Sequence, residues 1–161
     1  MSWLLHRIDD RLIHGQVLVA WGQRLNPARM WLVDDAIAAS DWERRAYEDA
    51  APGMDVRVRT VEQAAADHAA EAAAAGGAFL LVGDLATARR LVEAGAAVGT
   101  FNVGGLHYAP GKDKVCEYVY LDDADRADAR ALLARGVALE VCDVPASRSQ
   151  PLEALDPTVK P

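Results

Sequence analysis

His14 stands directly before Gly15 and three residues after Arg11, in the run Arg7-Ile-Asp-Asp-Arg-Leu-Ile-His-Gly-Gln-Val17. Histidine is the side chain whose ordinary pKa lies nearest neutrality, so much of it is an uncharged nitrogen nucleophile at cellular pH. Arginine stays charged and binds two oxygens at once with its planar fork. The run falls between a predicted first strand and a predicted first helix, and unpaired N–H groups at a helix start favour an anion. Gly15 lets a ligand come close to the backbone. A nucleophilic nitrogen, a fixed cation and a helix N-terminus are what a site carrying a phosphoryl group on histidine needs. Phosphoryl transfer asks chiefly for in-line positioning and for charge facing the equatorial oxygens.

The other histidines lack this company. His6 lies inside the apolar run Trp3-Leu-Leu-His-Arg-Ile8 and reads as a strand residue. His68, in the alanine-rich segment 64–75, reads as part of a solvated helix face. His107 lies in the glycine-rich loop 102–112 and is intermediate between a structural and a chemical role. Cys116 and Cys142 fall in predicted strands without metal-ligand spacing and read as reduced core thiols.

The elements that must position His14 alternate. Apolar runs at Trp3–Ile8, Met30–Val33, Val56–Val58, Phe79–Val82, Ala97–Phe101, Val115–Leu121 and Val137–Val141 suit buried parallel strands. Helices are predicted at Gly15–Arg24, Asp41–Ala50, Val61–Ala75, Asp84–Ala94 and Asp123–Arg135. Ser40 and Asp84 are candidate N-caps, and Thr60 with Gln63 forms a candidate capping box. Glycines close three of the helices. The expectation is a single α/β domain: an open, mainly parallel sheet of about seven strands with helices on both faces and the active-site loop after the first strand. Residues 1–145 form this domain, and the proline-rich segment 146–161 is expected to be a loose tail. Ligands of such folds bind beyond the carboxyl ends of the strands. The loops there are Asp9–His14, Val33–Ile37, Gly83–Leu85 and Asn102–Lys112.

A chain of 161 residues, 52% hydrophobic, can bury a substantial core. A net charge of −7 argues against a nucleic-acid or anionic-membrane surface. No apolar run is long enough to span a bilayer, and Met1-Ser-Trp-Leu-Leu is too short for a signal sequence, so a cytoplasmic protein is expected. Neither a Gly-x-Gly-x-x-Gly after the first strand nor a Walker lysine motif is present, which leaves a nucleotide- or sugar-phosphate-binding enzyme as a distant alternative.

The stretch Arg7–Val17 resembles the active-site loop of the IIB components of the mannose/fructose/sorbose-type bacterial phosphotransferase system. Trp31-Leu-Val-Asp-Asp-Ala-Ile-Ala38, Phe101-Asn-Val-Gly-Gly-Leu106 with Pro110-Gly-Lys112, and Ala134-Arg-Gly-Val-Ala-Leu-Glu-Val141 resemble further stretches of that family in order. The Asp-Asp-Arg-Leu-Ile-His-Gly-Gln and Asn-Val-Gly-Gly motifs are specific together, not singly.

The resemblance implies a phosphotransferase, a phosphocarrier that takes a phosphoryl group on His14, through Nδ1, from a phosphohistidine of a IIA partner. It passes the group to a sugar during phosphoenolpyruvate-dependent uptake through IIC and IID membrane components. It implies no cofactor and no metal, and leaves self-association and the sugar open. Arg11 would hold the phosphoryl oxygens, while Asp10 would orient the imidazole, anchor Arg11 or simply shape the turn. Asp34 and Asp35 would form the rim or cap a helix. Asn102, Gly104 and Gly105 would offer backbone N–H groups or a tight turn, and Lys112 would meet a partner, a substrate or only solvent. Arg7, Arg11 and Arg24 would pair with an acidic partner rim. Gly83-Asp84-Leu85 departs from sugar-transporting relatives, which often carry a hydroxyl there; Thr87 is the nearest substitute. The alternative function is a regulatory phosphorelay module of an incomplete system, without sugar transport.

Overall fold

A computed structural model describes residues 3–161. Met1 and Ser2, part of the segment judged too short for a signal sequence, lie outside the described residues. β1 (Trp3–Asp9) leads through the histidine loop into a helical stretch that begins at Gly15. That stretch is a π-helical turn at Val17–Trp21 continuing as α1 (Gly22–Leu25). Asn26, in the left-handed conformation, ends it. β2 (Arg29–Val33), α2 (Asp35–Ala39), α3 (Asp41–Glu48) and β3 (Asp55–Arg59) follow. Next come α4 (Val61–Ala73), β4 (Ala78–Val82), α5 (Leu85–Glu93) and β5 (Thr100–Gly105). β6 (Asp113–Cys116), β7 (Val119–Leu121), α6 (Asp123–Ala134), β8 (Ala138–Val141), β9 (Gln150–Pro151) and α7 (Leu152–Leu155) complete the domain.

The main sheet has the order β3-β2-β4-β1-β5-β8-β9, parallel except for β9. Successive strand residues point to opposite faces, and the core divides accordingly. Ile8, Trp31, Val33, Leu80 and Val82 join α4, α5 and α6 on one face. Met30, Leu32, Phe79 and Leu81 join Val17, Leu18, Trp21 and Ile37 on the other. β1 therefore lies inside the sheet, between β4 and β5, and its end is fixed from both sides.

The expected caps form at Thr60, whose box with Gln63 is complete, and at Asp84, which accepts from the Thr87 amide at 2.7 Å. Ser40 precedes α3 without a side-chain cap bond.

Three expectations need correction. Val115–Leu121 is not one strand of the sheet; β6 and β7 form a separate antiparallel pair. The segment after 145 is not loose, because β9 pairs with β8 while Leu152 and Val159 are fully buried in the core. His68 is not solvated: it is 3% exposed, stacks on Trp3 and meets His6 with the two Nε2 atoms 2.9 Å apart.

Candidate functional site

β1 delivers two charged side chains to complete burial, Arg7 and Asp9. Arg7 Nη2 donates to Asp9 Oδ2 at 2.9 Å and to the Asp143 carbonyl at 3.0 Å. Arg7 Nη1 donates to Asn102 Oδ1 at 2.5 Å and to the Cys142 carbonyl at 3.2 Å. Asn102 is held in turn by donating to the Cys142 carbonyl at 2.9 Å. The Trp21 ring lies 5.3 Å from the guanidinium carbon, and its Nε1 donates to the same Asp143 carbonyl. A buried cation needs such dense pairing, since its desolvation otherwise outweighs its attraction. Gly104 makes room for it: a Cβ there would lie 1.9–2.3 Å from three guanidinium atoms of Arg7.

Asp9 is the hub. Its Oδ1 accepts from the Arg11 amide at 3.1 Å and from Arg11 Nε at 3.0 Å, and its Oδ2 accepts from Arg11 Nη2 at 2.8 Å. Burial pushes the Asp9 carboxyl up, but the Arg11 hydrogen bonds and the two guanidinium charges outweigh it, so the net shift is downward. Arg11 is raised, chiefly by its bond to Asp9. Its guanidinium also donates to Gln16 Oε1 at 2.8 Å and stays partly open to solvent.

Asp10 N donates to the Gly105 carbonyl and Leu12 N to the Asp9 carbonyl, so the loop turns tightly off the sheet. Leu12 adopts a positive φ of 59°, unusual for a side chain with a Cβ. It packs over Gly83, where a Cβ would come within 3.1 Å of Leu12 Cδ2. Thr87 stands in the first turn of α5, its amide bonded to Asp84.

The turn sets His14. Its Nδ1 lies 2.8 Å from the Leu12 carbonyl, which can only accept, so Nδ1 carries the proton and the neutral ring has its lone pair on Nε2. Nε2 is buried 3.9 Å from Asp9 Oδ2 and has no hydrogen-bonding partner among the described residues. The side chain is 19% exposed. Transfer through Nδ1 therefore requires the ring to leave the Leu12 carbonyl. A Cβ on Gly15 would meet nothing within 4 Å beyond its chain neighbours, so the backbone after His14 is open at that position.

The expected residues separate into two groups. His14, Arg11, Asp10, Gly15, Gly104 and Gly105 converge at the carboxyl end of β1, with Asn102 beneath them. Asp10 does not orient His14 or anchor Arg11; it accepts from the His107 amide and from His107 Nδ1, each at 2.6 Å. Asn102 and Gly104 serve Arg7. Asp34 caps α2 through the Ile37 amide. Asp35 is committed to the Val61 amide at 2.9 Å and to Arg90 at 2.6 Å, and Lys112 to Asp125 at 2.7 Å. Neither Asp35 nor Lys112 joins the His14 cradle in this arrangement. Arg7 is buried and cannot meet a partner; Arg24 is exposed and Arg11 partly so. Sequence reasoning missed the roles of Arg7, Asp9 and Trp21. Charges inside an apolar strand run were the available signal.

A doubly wound sheet with a histidine, an arginine fork and a helix start beyond its first strand is the class of domain whose site suits an anionic group. The chain belongs to the family described as the PTS system sorbose subfamily IIB component, whose profile matches residues 3–160. It is 35% identical over 149 residues to the N-acetylgalactosamine-specific phosphotransferase enzyme IIB component 1 of Escherichia coli, covering 91% of this chain and 94% of that one. It is 36% identical over 138 residues to the mannose-specific EIIAB component of E. coli, covering 85% of this chain but 43% of that longer protein. The crystal structure of the IIBSor domain of the sorbose permease from Klebsiella pneumoniae superposes with a TM-score of 0.86 at 32% identity, over 96% of both chains.

Proposed function

We propose that His14 is the phosphoryl acceptor and donor of this chain, acting as the IIB phosphocarrier of a sugar-specific phosphotransferase system. The supporting observation is the Arg7–Asp9–Arg11 chain, which holds an oriented guanidinium fork beside His14. Arg11 and the N–H groups at the start of the helical stretch would face the phosphoryl oxygens. Open space at Gly15 admits them. A IIA phosphohistidine is the donor, a reading favoured by the EIIAB relative, whose name joins both components in one protein. IIC and IID components would receive the sugar, and the cytoplasm is the compartment this chemistry requires. No helix among the described residues is long and apolar enough to cross a membrane.

Intact mass after incubation with phosphoenolpyruvate, the general phosphocarrier proteins and a mannose-type IIA domain tests this. An acid-labile phosphoryl adduct is expected on the wild type and none on His14→Ala. An adduct that survives loss of His14, or no adduct with a competent donor, removes His14 from the role.

A further inference from the structure

The Asp10–His107 pair has no part in the proposed loading of His14. Asp10 accepts two hydrogen bonds from one residue, from the His107 backbone N–H and from Nδ1, both at 2.6 Å. This fixes the tautomer: in the neutral ring Nδ1 carries the proton and Nε2 the lone pair. Among the described residues Nε2 has no hydrogen-bonding partner, and the side chain is 43% exposed. The pair also lies at the site rather than beside it. A Cβ on Gly105 would come within 2.9 Å of His107 Cε1, 3.2 Å of Arg11 Nη2 and 3.1 Å of Asp9 Oδ1, so imidazole and guanidinium converge on one glycine. Tyr108, the next residue, is 68% exposed, with Tyr120 edge-on against it.

The two half-reactions differ in what they ask of a base. Receiving a phosphoryl group from another phosphohistidine frees no hydroxyl proton. Passing it to a sugar does. Asp9 cannot take that proton, because both its oxygens are bonded to arginines. Lys112 is held by Asp125.

The geometry points to His107, oriented by Asp10, as the general base for the acceptor hydroxyl in the second half-reaction. This rests on His14 carrying the phosphoryl group. The hydroxyl oxygen attacks phosphorus in line and the O–P bond forms. The P–N bond to His14 breaks, its electron pair remaining on an imidazole whose other nitrogen carries a proton. The hydroxyl proton passes to His107 Nε2. The acceptor class is a primary or secondary alcohol presented from outside the loop.

The test separates the half-reactions. Wild type, His107→Gln and Asp10→Asn are loaded by a IIA donor, freed of it, and given glycerol as a surrogate alcohol. Loss of the adduct and formation of glycerol phosphate are followed across the neutral pH range. Loading of His107→Gln should match the wild type. Its transfer should slow by about 10²- to 10⁴-fold and lose the rise with pH expected as an imidazole deprotonates. Asp10→Asn should fall between the two. Equal transfer and an unchanged pH profile in His107→Gln would overturn the assignment, as would an equal loss in loading and transfer, which marks a merely structural pair. Failure of the wild type to load is a different result and removes the His14 reading itself.

Discussion

Gly104 and Gly15 flank the same site, but packing holds only Gly104 to glycine. A Cβ at 104 would occupy the space of the Arg7 guanidinium, whereas one at 15 would meet nothing within 4 Å. Gly104→Ala must therefore dislodge the buried cation and strip Asp9 of a partner. A loss of about 3–5 kcal/mol is expected, as for breaking a buried ion pair, read as a lowered urea midpoint. Gly15→Ala should change the midpoint by no more than about 1 kcal/mol, because alanine suits a helical first turn. His14 and Arg11 were legible in the sequence because their chemistry is local, three residues apart. Arg7 was read as partner-facing, since nothing nearby reveals that Asn102 and the carbonyls of Cys142 and Asp143 close around it. Of the roles open to Asp10, orienting His14 and anchoring Arg11 fail for the same reason, its partner His107 being 97 residues away.

Helix starts are written locally and were mostly readable. The Thr60 box and the Asp84 cap need only residues within one turn. The π-helical turn at Val17–Trp21 was not readable: its pattern of apolar residues is that of an ordinary helix, yet it carries the Trp21 ring that lies against Arg7. The terminal segment was misread because proline and polar residues masked two anchors, Leu152 and Val159. Leu152→Ala should cost about 2–5 kcal/mol, seen as a lowered midpoint with an unchanged slope in urea. A midpoint equal to that of the wild type would mean the segment does not contribute to the fold.

Across the whole molecule, strand-helix alternation announced the open parallel sheet, but strand order and the separate β6–β7 pair depend on pairing that no local pattern encodes. One stability property is also global. His6 and His68 share a hydrogen bond beside Trp3, His6 lying midway along β1. Burial, with help from His68, pushes His6 down to about 3, and burial lowers His68 too. Protonation thus favours the unfolded chain. The pair subtracts nothing above the ordinary value of 6.5, and stability falls as pH drops from there toward about 3, by at most about 1.4 kcal/mol per unit for His6. Urea midpoints measured between neutral and mildly acid pH should show this slope, and His6→Gln should flatten it; an unaltered slope would place the acid sensitivity elsewhere. The two free rims of the sheet have a further consequence. β3 lines one with Asp55, Arg57 and Arg59, and β9 ends the other after two residues, one of them a proline that has no N–H to give. Charged side chains on the first rim and a short, proline-bearing strand on the second both discourage another strand from extending the ladder. Edge-to-edge pairing of two copies through these rims is thereby disfavoured.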